Sequence, residues 1–130
     1  MLLLGIDLGS SSVKASVIDG ESGKCLAAAY SPEDEMKIIA LNPGWAEQDT
    51  EVWWENLRKA VLSCTASLGS KASGIGAIGI SYQMHGLVTI DKNNKVLRPS
   101  IIWCDSRAVG YGEIAMITLG RDYYLSHLLH

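Results

Sequence analysis

The first residues whose types and spacing can do chemistry lie near the start of the chain. Asp7 lies at the end of a short apolar run, one residue before Leu8, and a turn of glycine and serine follows. Such a turn can aim successive backbone N–H groups at phosphate oxygens, because small residues let the backbone approach an anion closely. The carboxylate can hold Mg²⁺ through water, since this cation keeps much of its hydration shell. The residues predicted to contact phosphate are Gly9, Ser10, Ser11, Ser12 and Lys14.

This turn matches neither of two common phosphate-binding motifs. It lacks the GxxxxGK[ST] pattern of P-loops and the GxGxxG pattern of dinucleotide-binding folds. An ordinary hairpin with a surface turn is the alternative interpretation, because turns of this composition recur in many sheets. The residue types alone leave both interpretations open.

A second group of candidate residues follows a glycine-rich apolar segment in the middle of the chain. Gln83 and His85 come directly after this segment, where polar side chains of an open α/β sheet usually meet a ligand. Amide and imidazole groups can hydrogen-bond the hydroxyls of a sugar. A lone histidine is more often a satisfied structural residue than a ligand, so a structural role for His85 stays open.

A third group contains Trp103 and Asp105. The carboxylate can accept hydrogen bonds from two hydroxyls of a polyol, and the indole offers an apolar face to the carbon–hydrogen side of a sugar. The alternative is a helix cap with an ion pair between Asp105 and Arg107. A fourth candidate segment is GWAEQD at 44–49. Its alternative interpretation is a loop anchored by one buried tryptophan.

A sheet must position these groups, and the hydrophobic pattern predicts one. Three strands joined by turns should form an antiparallel meander, because apolar residues alternate between turn signals. In the second strand Val13, Ala15 and Val17 should face the core and Lys14 the opposite side. The three strands are predicted at 2–8, 13–18 and 24–30.

Helices and further strands are predicted after a long connection at 31–49. A helix over 50–68 should be capped by Asp49 or Thr50, with one apolar face. The glycine-rich segment 75–81 is predicted as a central strand, since other backbone would pack close to its glycines. The remaining predictions are a hairpin of 87–90 with 96–103, a helix capped by Ser106 and a helix over 121–130. Strand, helix and strand in this order place the chain in the α/β class.

Composition restricts the class of protein. The chain of 130 residues is 48% hydrophobic and 19% charged, which excludes disorder and allows one domain. A formal net charge of -3 with mixed signs gives no reason to expect nucleic acid or a membrane as a partner. No signal peptide or spanning segment is apparent, so a cytoplasmic location is expected. The three cysteines form no CxxC pair and are predicted to be buried free thiols.

Taken together and in this order, the four segments resemble the FGGY carbohydrate kinases, the family that includes glycerol kinase, gluconokinase and xylulokinase. GIDLGSSSVK at 5–14 is similar to the family's first phosphate-binding motif. Within the family, GWAEQD at 44–49, QMHG at 83–86 and LRPSIIWCDSR at 97–107 are most similar to xylulokinases. The resemblance covers nearly the whole chain and becomes weaker after Arg107.

The resemblance implies an ATP-dependent phosphorylation of a sugar, most similar to the conversion of xylulose to xylulose 5-phosphate, with ATP and Mg²⁺ as cofactors. It implies a ribonuclease-H-like fold, as in actin and hexokinase, with a mixed sheet and flanking helices. Asp7 would be important for activity through Mg²⁺ and phosphate. The residues expected to bind the sugar are Gln83, Met84, His85, Trp103 and Asp105.

Two other functions stay open. One is a kinase for another sugar or sugar acid, such as gluconate, ribulose or fuculose. The other is a non-catalytic module of the same fold that binds a sugar or nucleotide without turnover. An actin-like assembly protein is disfavoured, because the polar residues after the strands would then have no ligand.

The resemblance also predicts that residues 1–130 are the N-terminal part of the first lobe of a longer kinase. The catalytic base of the family, an Asp, and its adenine-binding motifs come later than position 130. Phosphoryl transfer depends on positioning and charge neutralisation, so the chain alone is expected to be inactive. An incomplete lobe exposes apolar surface, and we therefore expect self-association.

Overall fold

The structure is a computed structural model that describes residues 1–128. Its centre is a four-stranded mixed sheet in the order β3-β2-β1-β5. β1 pairs antiparallel with β2 and parallel with β5, and β2 pairs antiparallel with β3. The strands are β1 Leu2–Leu8, β2 Val13–Asp19, β3 Cys25–Ser31 and β5 Ile75–Tyr82. The predicted antiparallel meander and the α/β class are confirmed.

The alternating pattern of β2 explains where the core lies. Val13, Ala15 and Val17 are buried, whereas Lys14 between them is exposed. Leu4 and Ile6 of β1 are buried on the same side of the sheet, since residues two apart in a strand share a face. One face of the meander is therefore apolar and needs a cover.

Helix α1, Thr50–Ala66, supplies that cover. Asp49 caps its start, with the carboxylate accepting a 3.0 Å hydrogen bond from the N–H of Glu51. Ala60 and Cys64 are fully buried against the sheet. Partly buried apolar residues complete the predicted helix face: Trp53, Leu57, Val61 and Leu68.

A polar contact also ties α1 to the sheet. The hydroxyl of Ser31 donates to the side-chain Oδ1 of Asn56 at 2.7 Å, and the side-chain Nδ2 of Asn56 donates to the backbone carbonyl of Val52 at 2.8 Å. Both polar side chains are buried, so each one satisfies a group that burial would otherwise leave unpaired.

The prediction of a central strand at 75–81 is wrong within the part of the chain that the structure describes. β5 reaches Tyr82 and, among residues 1–128, pairs only with β1, so it forms the edge of the sheet described here. α1 lies over β2 and β3, and every residue of β5 after Ile75 is exposed. The exposed apolar residues of this strand are Ile78, Ile80 and Tyr82.

The region after β5 forms less regular structure than the predicted hairpin. The bridge Ile90↔Val96 closes its turn, and Leu87 pairs with Ile101 in a second isolated bridge. The strand β6, Ser100–Ile101, instead pairs antiparallel with β4, Glu47–Gln48. The long connection predicted at 31–49 is therefore fastened to the 98–102 region by a short ladder.

The C-terminal helices are α2, Val109–Leu119, and α3, Arg121–Leu128. Ser106 does not cap α2, which begins at Val109 after Ala108. The Ser106 hydroxyl donates to the carbonyl of Gly44 at 3.1 Å, because the two loops lie against each other. The helix predicted over 121–130 is confirmed as far as Leu128, and its last two residues lie outside the described range.

Among residues 1–128 no helix has the length and apolarity needed to cross a membrane. The prediction about the cysteines is correct only for Cys64, whose burial raises its pKa. Cys25 and Cys104 are exposed free thiols.

Candidate active site

Asp7 and Lys14 face each other across β1 and β2 at the end where β1 stops. The Lys14 Nζ lies 3.2 Å from the Asp7 Oδ2, with 62% and 51% of the two side chains exposed. Exposed ion pairs of this kind contribute little to stability, so a ligand that binds either side chain more strongly can replace the contact. Both groups point away from the face that α1 covers, because their neighbours Ile6 and Val13 point toward the core.

An open cleft of about 420 Å³ lies over this pair. Its floor is nearly bare backbone, because Gly5 and Gly79 are register partners on β1 and β5. Ser81 stands beside Asp7 on β5 and lines the same cleft. The sequence did not indicate Ser81, since its position depends on the parallel pairing of two strands far apart in the chain.

The turn from Gly9 to Ser12, here called the phosphate turn, follows β1. The N–H of Gly9 donates to the carbonyl of Ser12 at 3.2 Å, so this N–H closes the turn itself. A Cβ at position 9 would lie 2.9 Å from the same carbonyl oxygen, which explains the glycine. Within residues 1–128 the N–H groups of Ser10, Ser11 and Ser12 have no acceptor. Three successive donors are thus available to an anion.

Two neighbouring segments hold the phosphate turn from outside. The carbonyl of Ser11 accepts from the N–H of Met36 at 2.8 Å. The carbonyl of Ser10 accepts from the Gln48 amide at 2.7 Å. The turn is therefore fixed through its carbonyl oxygens, while three of its N–H groups have no acceptor in the described part of the chain.

The residues Gln83, Met84, His85 and Trp103, here called the sugar wall, line a second cleft of about 350 Å³. His85 has a φ of 62°, a left-handed conformation that non-glycine residues adopt mainly where the surroundings enforce it. The N–H of Gln83 donates to the carbonyl of Leu8 at 3.0 Å, which continues the pairing of β5 with β1. The sugar wall is thus joined directly to the end of the strand that carries Asp7.

The side-chain amide of Gln83 is the least satisfied polar group of the wall. Both its nitrogen and its oxygen are buried and have no hydrogen-bond partner within residues 1–128. A buried polar group without a partner costs free energy. A hydrogen bond from this amide to a ligand hydroxyl or to a water molecule would therefore be stabilising.

The phosphate turn and the sugar wall meet at one contact. The Trp103 indole Nε1 donates to the Ser10 hydroxyl oxygen at 3.3 Å. The indole ring itself is exposed, so one of its faces is open to a ligand. This hydrogen bond joins the residues predicted for phosphate to the residues predicted for sugar.

Asp105 occupies a different environment from the other predicted sugar-binding residues. Its side chain is 2% exposed and accepts from the Arg107 guanidinium at 2.7 and 2.9 Å and from the N–H of Ala46 at 2.7 Å. The hydrogen bonds from Arg107 hold the pKa of Asp105 well below its usual range. The ion pair left open by the sequence is therefore present, and a direct contact of Asp105 with a sugar stays a prediction.

Sequence reasoning assigned no role to Glu47, Gln48 or Arg98. The buried Glu47 carboxylate accepts from Arg107 at 2.7 Å and from Arg98. The Arg107 guanidinium also lies 3.9 Å from the ring centre of Trp45. The sequence signal for Glu47 and Gln48 was the polar end of the 44–49 segment, and no local signal marked Arg98.

The cleft over Asp7 offers few protein ligands for a metal ion. Within residues 1–128 no group of three or more His, Cys, Asp or Glu side chains is arranged to hold an ion. The single exposed carboxylate of Asp7 fits Mg²⁺, which usually keeps several waters and binds through one or two carboxylates plus the phosphates of a nucleotide.

Comparison with known proteins decides the family. Residues 2–121 match the N-terminal domain of the FGGY family of carbohydrate kinases. The chain belongs to this family. The resemblance inferred from the four motifs is thereby confirmed.

Individual FGGY relatives agree with this assignment. The xylulose kinase of Escherichia coli K12 is 37% identical over 108 residues, which are 82% of this chain and 21% of that protein. A solved structure described as a xyloylose kinase from Brucella ovis is 36% identical, has a TM-score of 0.83, and matches 91% of this chain and 24% of its own. The xylulose kinase structure from Rhodospirillum rubrum is 25% identical with a TM-score of 0.85, over 96% and 25% of the two chains.

These similarities confirm the predicted sugar-kinase fold. The chain spans about a fifth of the length of the curated relatives that it matches.

Proposed function

We propose that this chain forms the phosphate-binding part and one wall of the sugar pocket of an ATP-dependent sugar kinase, with xylulose as the sugar. The observation that carries this proposal is the 3.3 Å hydrogen bond between Trp103 and Ser10. Phosphoryl transfer needs the donor phosphate and the acceptor hydroxyl side by side, since catalysis is almost entirely positioning and charge stabilisation. A sugar wall in contact with a phosphate turn has this arrangement.

The polar groups of the cleft have complementary roles in this proposal. The free N–H groups of Ser10, Ser11 and Ser12 bind phosphate oxygens of ATP. Asp7 would hold hydrated Mg²⁺, which would supply positive charge beside the phosphates. Lys14 leaves Asp7 and turns toward a phosphate, because its exposed, flexible side chain is held only by a weak pair.

The sugar wall binds the acceptor. The amide of Gln83, buried without a partner in the described residues, turns toward the cleft and hydrogen-bonds sugar hydroxyls, and His85 and Met84 contact the sugar beside it. Trp103 covers the carbon–hydrogen face of the ring or chain. The choice of xylulose is supported by the names of relatives at 36–38% identity.

Residues 1–130 form the N-terminal part of the first lobe in this proposal, and the catalytic Asp comes from a region outside them. Xylulose and ATP are the partners, and a reducing compartment such as the cytoplasm suits the three free cysteines. Loss of a general base alone typically costs about 10²–10⁴-fold in rate. The chain by itself should therefore show almost no turnover.

A chimera tests the proposal directly. In it, this chain replaces the matching region of the E. coli xylulose kinase, and ADP formation is followed with Mg²⁺, ATP and xylulose. The chimera should turn over, while this chain alone and the E. coli enzyme without that region should not.

Two results would contradict the proposal. One is a folded chimera that is inactive with xylulose, gluconate, ribulose and fuculose, which would favour a non-catalytic binding module. The other is turnover by this chain alone, which would place the acid–base residue within these 130 positions. Activity with gluconate but not xylulose would keep the kinase and overturn the choice of sugar.

A further inference from the structure

The strand β4 has only two residues, and their side chains serve different parts of the candidate site. Successive side chains in a strand point to opposite sides. Glu47 contacts Arg98 and Arg107, the second of which also pairs with Asp105, and Gln48 contacts the phosphate turn. Both side chains are buried, so their contacts are shielded from water.

The Gln48 amide is held in one orientation. Its oxygen accepts from the Trp53 indole Nε1 at 2.9 Å, and its nitrogen donates to the carbonyl of Ser10 at 2.7 Å. An indole N–H can only donate, so the amide oxygen must face Trp53 and the amide nitrogen must face Ser10. A flipped amide would place its NH₂ group against the Trp53 N–H and its oxygen against the Ser10 carbonyl oxygen.

The hydrogen bond from Gln48 to the Ser10 carbonyl also orients the next N–H of the turn. The peptide unit between Ser10 and Ser11 is planar and trans, so its C=O and N–H point in opposite directions. When Gln48 holds the Ser10 carbonyl, it also sets the direction of the Ser11 N–H. That N–H is the middle one of the three free donors of the phosphate turn.

We propose that Gln48 is a positioning residue, which holds the phosphate turn so that its free N–H groups converge on a phosphate. It touches no reacting atom and acts through the Ser10–Ser11 peptide. The identity of the phosphate as that of ATP rests on the function proposed above, but the geometry of the turn does not. Trp53 has a secondary part, because it orients the amide of Gln48.

The first test measures the turn itself in this chain. Gln48→Met keeps the length of the side chain and its burial but removes both hydrogen bonds. In ¹H–¹⁵N spectra the amide signals of Ser10 to Ser12 and the indole signals of Trp53 and Trp103 should shift. Glu55→Met, at an exposed position of α1, is the matched control and should leave these signals unchanged.

A second variant covers the case in which Gln48→Met does not fold. Trp53→Phe keeps an aromatic ring in the core and removes only the donor that orients Gln48. The amides of Ser10 to Ser12 should shift in the same direction and by less. Unchanged turn signals in whichever variant folds would overturn the proposal.

The second test separates positioning from general stability. In the active chimera, Gln48→Met should raise the KM for ATP about tenfold, because misplacement of binding groups by about 1 Å can cost up to about 100-fold. The KM for xylulose should change less than the KM for ATP, since Gln48 reaches the sugar wall only indirectly, through Ser10 and its hydrogen bond from Trp103. Glu47→Gln should show the opposite pattern, with the larger change in the KM for the sugar.

The outcomes distinguish this proposal from the one on which it rests. If the chimera is inactive, the proposed function fails, and the amide signals of the turn still decide whether Gln48 holds it. If the chimera is active and Gln48→Met changes both KM values equally, or neither, Gln48 has only a general structural role and the positioning proposal is wrong.

Discussion

The two halves of the sheet have opposite surroundings. β2 and β3 lie beneath α1, and Val17 in the covered half has no exposed surface. β5 forms the other edge, where Ile80 is 64% exposed although it is as apolar as Val17. β1 lies between the two halves, with its core side buried and Asp7 on its open side.

This difference separates stability from function along one sheet. The covered half supplies the hydrophobic core and the free energy of folding. The candidate site lies on the open side and in the loops that follow β1 and β5, where backbone and polar groups stay accessible. Substitutions in the covered half should therefore change the free energy of unfolding, and substitutions at the open end should change binding and catalysis.

The largest expected effect is at the open end. Asp7→Asn in the active chimera should lower kcat/KM by about 10²–10³-fold, the usual loss when one preorganised group that stabilises charge is removed. Its melting temperature should hardly change, because Asp7 is exposed. ADP formation and thermal unfolding measure the two quantities separately.

Asp34→Asn is the matched control for charge, since Asp34 is exposed in the loop that follows β3. It should leave both quantities unchanged. Equal losses in Asp7→Asn and Asp34→Asn would show that net charge, and not the position of the carboxylate, matters.

The next effect belongs to the covered half. Val17→Ala should lower the free energy of unfolding by about 2 kcal/mol, because two buried methyl groups are lost and a cavity remains. Urea denaturation of this chain gives that value. The KM values of the chimera should stay the same, and a change in them without a change in stability would break the proposed separation.

A smaller, pH-dependent effect is expected at Asp105. Its folded-state pKa lies below the usual value of about 3.8, because Arg107 donates hydrogen bonds to the carboxylate. The stabilisation is therefore present above pH 4 and is lost as the pH falls toward the folded-state pKa. The effect should be moderate, since Arg107 keeps its contact with Glu47 in the Asp105→Asn variant.

Melting temperatures from pH 7 to pH 2 test this linkage. The wild type should have a higher melting temperature than Asp105→Asn near neutral pH, and the difference between the two melting temperatures should decrease below pH 4. A gap that stays constant down to pH 2 would show that the ion pair is not the cause of the difference.

The smallest expected effect on stability is at the exposed edge. Ile80→Ser should change the free energy of unfolding by less than about 0.5 kcal/mol, as surface substitutions usually do. It should lower self-association, because exposed apolar edge strands template pairing between chains. Sedimentation of this variant beside Ile38→Ser, an exposed loop control, should show a larger monomer fraction only for Ile80→Ser.

The sequence predicted the covered half well and the open half less well. The alternation of Val13, Ala15 and Val17 and the spacing of the apolar residues of α1 are local periodicities, and local patterns specify which face is buried. Asp49 as the helix cap follows from the same kind of local rule. The position of β5 at an edge does not, because an apolar segment has the same pattern at an edge as in the centre.

The candidate site was predicted through its residue types but not through its connections. Asp7, the serines of the turn, Gln83, His85 and Trp103 stand at the ends of predicted elements. The hydrogen bond of Trp103 to Ser10 and the contacts of Gln48 join residues 93 and 38 positions apart. No local pattern encodes such contacts, since they depend on how three loops meet.

The central claim is that the phosphate turn and the sugar wall form one site. A crystal structure of the chimera with Mg²⁺, a non-hydrolysable ATP analogue and xylulose tests it most directly. We predict the terminal phosphates within hydrogen-bonding distance of the N–H groups of Ser10 to Ser12 and the sugar against His85 and Trp103. Phosphates bound away from the turn, or a sugar that contacts none of the wall residues, would contradict the account.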